Sequence, residues 1–417
     1  MVQAGISCTV FEQASSIDAR PRDWNFAIYW AQSPLEQCLP EEINNLLLTA
    51  QVDNYIPNAK DTIPVFHGER GDKMKEIPAP YSLRLGKKKF TRLISRGLNI
   101  RERSFAFSAN KEKLTILQYG KCISSISTSK DAVTATFEDG TTHTATLLIG
   151  AEGAHSLTRE FLLGPEKAAL IQSPVVASVT IARPAAAASA MAKIDPRANC
   201  WFHPNGQFSW ASVLDSYDKP DIADWDWMLI QTWMQQEPTT LSGSAIIEDM
   251  KRRAKEFADP YRTIIQAIPD QTPAWHNRLS YWPTQPWDNL GGRVTLAGDA
   301  AHPMTFRTQS SYFLEDDSGL TIYCTKDRGQ GLNNAIHDAA TLLQQLRAMP
   351  EKTQEALAAA VLEYEKEIWQ RGKAAVEGSA QNTLMVHDWA KMADSPLLKF
   401  GTVQKVDMQQ TKAETVS

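Results

Sequence analysis

Apolar and polar positions along the chain change their period several times, and each change marks an element. Ile6, Cys8 and Val10 alternate with Ser7, Thr9 and Phe11 in a β-rich run that ends on Glu12, which predicts a strand with an acid at its end. Residues 40–80 carry helical and loop patterns without recognisable chemistry. From 113 to 149 the alternation returns. Val133-Thr-Ala-Thr-Phe137, the turn pair Asp139-Gly140 and the run 144–149 predict a β-meander leading back to a main sheet. Between 170 and 290 an alanine-rich connection gives way to eight of the twelve tryptophans. Strand-like pieces at 175–181 and 208–213 predict a mainly antiparallel sheet there. Val294 and Leu296 form a short apolar run that stops at Gly298-Asp299. It reads as a buried strand whose glycine lets the backbone turn closely against a ligand, with the acid held at the strand end. Leu332, Ala335, Ile336, Ala339, Leu342, Leu343 and Leu346 then recur at helical spacing. A second helix is expected from 355 to about 385 on Leu357, Val361, Tyr364 and Ile368.

Composition narrows the class. At 417 residues the chain can build two domains or one large layered unit. A net charge of −5 with no basic tract argues against nucleic acid as a partner. Cys8, Cys38, Cys122, Cys200 and Cys324 show no metal or redox spacing and suit reduced thiols of a cytoplasmic protein. No apolar run approaches the roughly 18 residues of a transmembrane segment, and no signal peptide is recognisable. The oligomeric state is left open by the sequence.

The chemistry centres on Asp299 and on the helix opening at Gly331-Leu-Asn-Asn. A helix start offers backbone N–H groups and a positive dipole end. Beside a strand-end acid, it suits a cofactor with hydroxyls and an anionic ring, such as flavin. Three segments, GDAAHPMTF, GQGLNNAIHDA and the earlier GAEGAHSLTR, together resemble the FAD-dependent aromatic hydroxylases, the single-component flavoprotein monooxygenases, over roughly residues 5 to 375. The resemblance implies an α/β fold in which a Rossmann-like FAD-binding domain is interleaved with a β-rich substrate domain. Residues 1–170 would be the first part of the FAD domain and 171–290 the substrate domain. Residues 291–385 would be the second part, carrying an insert at 307–327, and 386–417 a flexible tail.

By the same resemblance, Asp299 would hold the ribityl chain, and the backbone N–H groups of Gly331, Leu332 and Asn333 the pyrimidine end of the flavin. Glu12 would hold the adenosine ribose. Lys87 stands where the family has the arginine of R-x-x-L-x-x-x-L, with Phe90 and Ile94 as apolar partners; it supplies charge without a bidentate fork. Arg20 or Arg22 either faces the cofactor or lies in a solvated loop. Glu152, ahead of Arg159, replaces the family's usual aspartate, and His155 reads as a surface or capping residue. No side chain is assigned as a substrate base. The implied activity uses NAD(P)H to reduce FAD and inserts one atom of O2 into an aromatic or polyketide-like small molecule. RDWNFAIYWAQSPLEQCL is similar to fungal members associated with secondary metabolism, and most tryptophans are expected in the core with two or three facing substrate.

Two departures qualify this. The family's G-x-G-x-x-G turn lies about 20 residues before the ribose acid, whereas only eleven residues precede Glu12 here, so an N-terminally truncated chain is expected. Residues 307–327 separate segments that nearly touch in relatives, as a translated intron or a substrate lid would. A flavin epoxidase or dehydrogenase on the same fold, and a gene product unable to hold FAD, remain alternatives, with a non-redox binding module behind them.

Overall fold

The computed structural model describes residues 6–19, 23–96, 98–101, 115–238, 241–305 and 330–400. The expectations placed on 1–5, on Arg20 and Arg22, on the insert 307–327 and on 401–417 lie outside the described residues.

In chain order, β1 (Cys8–Glu12) and β2 (Asn25–Ile28) precede α1 (Gln32–Cys38) and α2 (Glu41–Asn44). Next come β3 (Thr62–His67), β4 (Lys73–Pro78), β5 (Leu83–Gly86), α3 (Lys87–Ile94), β6 (Asn99–Arg101) and β7 (Thr115–Tyr119). The meander β8 (Ile123–Thr128), β9 (Val133–Phe137) and β10 (Thr142–Ala145) leads to β11 (Leu148–Gly150), α4 (Leu157–Leu163) and α5 (Pro165–Ala168). The tryptophan-rich region holds β12 (Ile171–Ala182), α6 (Ala188–Ile194), β13 (Ala198–Phe202), β14 (Phe208–Asp215) and β15 (Asp226–Met234), then α7 (Ser244–Ala254), α8 (Tyr261–Gln266) and β16 (Ala274–Tyr281). Last are β17 (Val294–Leu296), α9 (Gln330–Ala348), α10 (Gln354–Met385) and α11 (Pro396–Phe400).

The parallel strands form a three-stranded and a two-stranded sheet. β1 pairs in parallel with β7, and β7 with β6; β11 pairs in parallel with β17. Ile6, just ahead of β1, packs into the same apolar cluster as Leu296, Leu342 and Val361, so strands and helices α9 and α10 share one core. The meander forms as the Asp-Gly signal requires, with Gly140 at φ +77° in the turn between β9 and β10.

The large sheet is seven-stranded, in the order β16-β12-β15-β14-β13-β3-β4. Side chains alternate across it, as strand geometry demands. From β15, Trp227 and Leu229 pack with Tyr261 and Ile264 of α8, whereas Met228 and Ile230 face the opposite side with Val179 and Leu214. That opposite side meets the antiparallel ribbon β2–β5: Ala27 and Tyr29 pack against Cys200, Phe202 and Phe208. Of the eight tryptophans, Trp201, Trp227, Trp233, Trp282 and Trp287 are buried, and Trp210 and Trp275 are half-buried beside Met228 and Ile230.

Three expectations are corrected. The large sheet is not confined to 171–290, because β3 and β4 come from the stretch read as helix and loop. β3 is interrupted by Pro64, and five of the six residues of β4 are exposed, all but Ile77, so neither shows clean alternation. The parallel contact with β13 uses Val65, Phe66 and His67, past the proline. Residues 386–400 are not a flexible tail: Val386, Met392, Leu397 and Leu398 are buried against Ile77 and Phe202. In α3 the second buried partner after Phe90 is Leu93, while Ile94 is exposed.

Candidate active site

The site is built where β17 ends. Leu296 pairs with Gly150 at the end of β11, and Ala297 N–H donates to Gly150 O at 2.9 Å. Gly150 lies so close to α4 that a Cβ there would sit 2.5 Å from Thr158 Cβ. Gly298 then adopts φ +59°, the left-handed region that glycine enters without strain. This turn places Asp299 in the interior, 3% exposed.

Helix α9 is fixed to that turn by a carboxylate. Asp338 Oδ2 accepts the Gly298 N–H at 2.6 Å and lies 2.8 Å from His302 Nε2. Its Oδ1 is paired with the Arg371 guanidinium from α10. Arg371 also donates to Glu367 Oε1 and to Asn334 Oδ1, each at 2.6 Å. Burial pushes the Asp338 carboxyl up, yet His302, Arg371 and the Gly298 amide outweigh it and hold it at about 2.

The start of α9 is anchored separately. Gly331, Leu332 and Asn333 lie in its first turn, where backbone N–H groups have no acceptor within the helix. The Asn333 side chain clamps the end of β2, accepting from Tyr29 N at 2.9 Å and donating to Ala27 O at 3.0 Å. Asp338 is five residues further on, about 7.5 Å along the axis. The first turn of α9 therefore reaches beyond the Gly298-Asp299 turn toward the ribbon.

Helix α10 runs along the whole 293–305 segment. Tyr364 Oη donates to Leu296 O at 2.7 Å. Gly372 passes so close that a Cβ would lie 2.9 Å from Thr284 Oγ1 and 3.2 Å from His302 Cβ. Further along, Ser379 and Thr383 exchange hydrogen bonds with Thr305. A second buried acid, Glu365, accepts from Trp287 Nε1, Asn289 Nδ2 and Thr295 Oγ1, each at 2.7 Å.

The GAEGAHSLTR segment acts mainly on its own helix. Glu152 Oε1 accepts from Ser156 Oγ at 2.8 Å and from Thr158 N at 2.7 Å, and Ser156 Oγ accepts from Arg159 N, so Glu152 and the N-cap Ser156 together satisfy the first turn of α4. Arg159 is 2% exposed and donates only to carbonyls, those of Ala154, Ala168 and Ala300. Burial lowers it to about 10. It ties this segment to the Asp299 turn. His155 is exposed.

The remaining predicted residues are placed as follows. Glu12 ends β1, half-buried, with Oε1 accepting the Ala14 N–H at 2.8 Å. Lys87 opens α3, and its ammonium lies 4.2 Å from the centre of the Trp24 ring. The turn at Asp299 and the first turn of α9 are thus brought onto one scaffold, whereas Lys87 joins the ribbon. Asp338, His302 and Arg371 were missed by sequence reasoning. An acid on the apolar stripe of α9, between Ala335 and Leu342, was the available signal for Asp338; Arg371 had none.

This arrangement fits a flavin: a buried strand-end carboxylate for hydroxyls, a helix start whose dipole suits an anionic ring, and a left-handed glycine beside the carboxylate. Over 402 residues the chain is 45% identical to the FAD-dependent monooxygenase cctM of Talaromyces islandicus, spanning 96% of this chain and 92% of that protein. The chain belongs to the FAD-dependent monooxygenases. The FAD-dependent monooxygenase phnB of Penicillium herquei is 30% identical over 405 residues, 96% of this chain and 90% of its own. No family model matches the chain. Among solved structures, Klebsiella pneumoniae HpxO complexed with FAD and uric acid has a TM-score of 0.68 at 16% identity, covering 99% of this chain and 91% of that one. FqzB has a TM-score of 0.69 at 16% identity over 98% and 88%. At such identity these structures show the shared α/β fold alone. This monooxygenase is an FAD-dependent oxidoreductase, and its relatives do not favour the epoxidase, dehydrogenase or inert-product alternatives. Among the described residues, no helix is long and apolar enough to cross a membrane.

Proposed function

We propose that this monooxygenase takes reducing equivalents from NAD(P)H and inserts one atom of O2 into a small aromatic or polyketide-like molecule in the cytoplasm. The observation that carries the reading is the buried Asp299 turn locked to α9 through Gly298 and Asp338. FAD, when bound, supplies the redox and oxygen chemistry. The chain's own residues bind and orient. The Asp299 carboxylate accepts hydrogen bonds from ribityl hydroxyls. The N–H groups of Gly331, Leu332 and Asn333 stabilise negative charge at the pyrimidine end of the ring. Glu12 accepts from the adenosine ribose, and Lys87 adds positive charge toward the phosphates.

The substrate lies between the ribbon and the large sheet, where half-buried Trp24, Trp210 and Trp275 line the face with Ile181 and Ile230. Aromatic surface of this kind suits a flat organic molecule and excludes water. The cytoplasmic placement is supported by the thiol state of Cys8, Cys38, Cys122 and Cys200. The test is labelled-oxygen turnover of the flavin-loaded chain on a panel of phenols and polyketides. One labelled atom per product, with matching NAD(P)H oxidation, is expected. NAD(P)H oxidation that yields only peroxide across the panel, or product oxygen derived from water, would contradict the reading.

A further inference from the structure

The buried arginines of this fold each meet two or more acceptors, except Arg84, which meets one. Arg159 has three carbonyls, Arg371 has Asp338, Glu367 and Asn334, and Arg197 has Asp53 at 2.7 Å. Arg84, on β5, is 4% exposed. Its Nη1 donates to Asn25 Oδ1 at 2.8 Å, and its guanidinium carbon lies 5.4 Å from the centre of the Trp210 ring. Among the described residues no carboxylate comes within ion-pair distance of it.

The placement is specific. Leu83 and Leu85 turn to the α3 side of the ribbon, so Arg84 turns to the other side, with Ala27 and Tyr29, toward the large sheet. Asn25 cannot turn its amide away, because Nδ2 donates to Val213 O at 2.6 Å and to Ser212 Oγ at 3.3 Å. The acceptor oxygen therefore stays on Arg84, and the fork is held in one orientation beside half-buried Trp210. Tyr29, Arg197, Asp53 and Asp195 are the other titratable groups nearby. Asp53 is engaged with Arg197, and Asp195 caps the Arg197 and Ala198 amides at 2.7 and 2.8 Å.

A buried cation with a single neutral acceptor is costly unless something negative arrives. Resting on the proposed substrate pocket, we propose that Arg84 is the residue that selects substrates carrying an ionised oxygen. In this role the ring of the substrate lies along Trp210 and its carboxylate or phenolate accepts from the Arg84 fork. The planar, delocalised cation suits both contacts.

The experiment uses the full chain loaded with FAD, titrated calorimetrically with 2-naphthoate and with its neutral isostere 2-naphthamide. The wild type should prefer the anion, and Arg84→Met should weaken naphthoate binding by roughly 10- to 100-fold while leaving naphthamide within about twofold. Arg84→Lys should recover part of the preference, since it keeps the charge without the fork. Flavin absorbance and a melting curve for each variant show whether the fold and cofactor are retained. Equal loss of both probes, no change with either variant, or a wild type indifferent to the charge would overturn the proposal. Failure of the chain to hold FAD or consume O2 would instead strike the proposed function, which the binding comparison does not measure.

Discussion

Replacing Asp338 with asparagine tests how the Asp299 turn is held. The side chain keeps its volume but loses a charge, and one of its two oxygens becomes an NH2. That group must face either the Gly298 amide or the Arg371 guanidinium, donor against donor, in a site that is 0% exposed. Glu367 remains with Arg371, so the loss falls below the full 3–5 kcal/mol typical of breaking a buried pair. A carboxyl held from 3.8 down to about 2 corresponds independently to about 2–3 kcal/mol. The two routes agree on a loss of about 3 kcal/mol. Urea unfolding followed by tryptophan fluorescence reads this directly, and FAD titration should show affinity reduced at least about tenfold as the Gly298 anchor fails. Because the folded carboxyl is depressed, its contribution is complete above its ordinary value of 3.8 and is lost only as pH falls through about 2. The difference between wild type and variant should therefore be flat between about pH 5 and 8. A loss below about 1 kcal/mol with unchanged FAD binding would refute the reasoning.

Two further predictions concern the neighbouring segments. Arg159→Met leaves the carbonyls of Ala154, Ala168 and Ala300 without their donor; stability should drop by about 2–4 kcal/mol in the same urea assay, with Arg159→Lys recovering only part, and equal recovery by lysine would argue against the fork. Burial raises the Glu365 carboxyl to about 7, against the hydrogen bonds of Thr295, Asn289 and Trp287. Its contribution is then complete below its ordinary 4.5 and lost as pH rises through about 7, so Glu365→Gln should flatten the fall in melting temperature over that range, and parallel profiles for the two proteins would count against this.

The sequence reading succeeded where local chemistry dictates local geometry. The strand ending on Glu12, the Asp139-Gly140 hairpin and the turn at Gly298 are each written in consecutive residues. The apolar spacing of α9 likewise needs no partner to be recognised. What was illegible depends on residues far apart. β3 and β4 join a sheet whose next strand begins over a hundred residues later, and nothing in TIPVFH or KMKEIP encodes that register. Arg371 meets Asp338 across two helices, and Arg84 becomes a buried cation only because the ribbon folds onto Trp210. Residues 386–400 look polar on average, yet Met392, Leu397 and Leu398 suffice to dock them on the face of β3 and β13.

The most direct measurement is the visible flavin spectrum of the purified chain after FAD addition and gel filtration, beside that of Asp299→Ala. The account predicts a bound-flavin band for the wild type and at least about a tenfold loss of affinity for the variant, with the melting temperature of the two flavin-free proteins nearly equal. A wild type that retains no flavin, or a variant that binds it as tightly, would contradict the claim that the Asp299 turn and the start of α9 form the cofactor cradle.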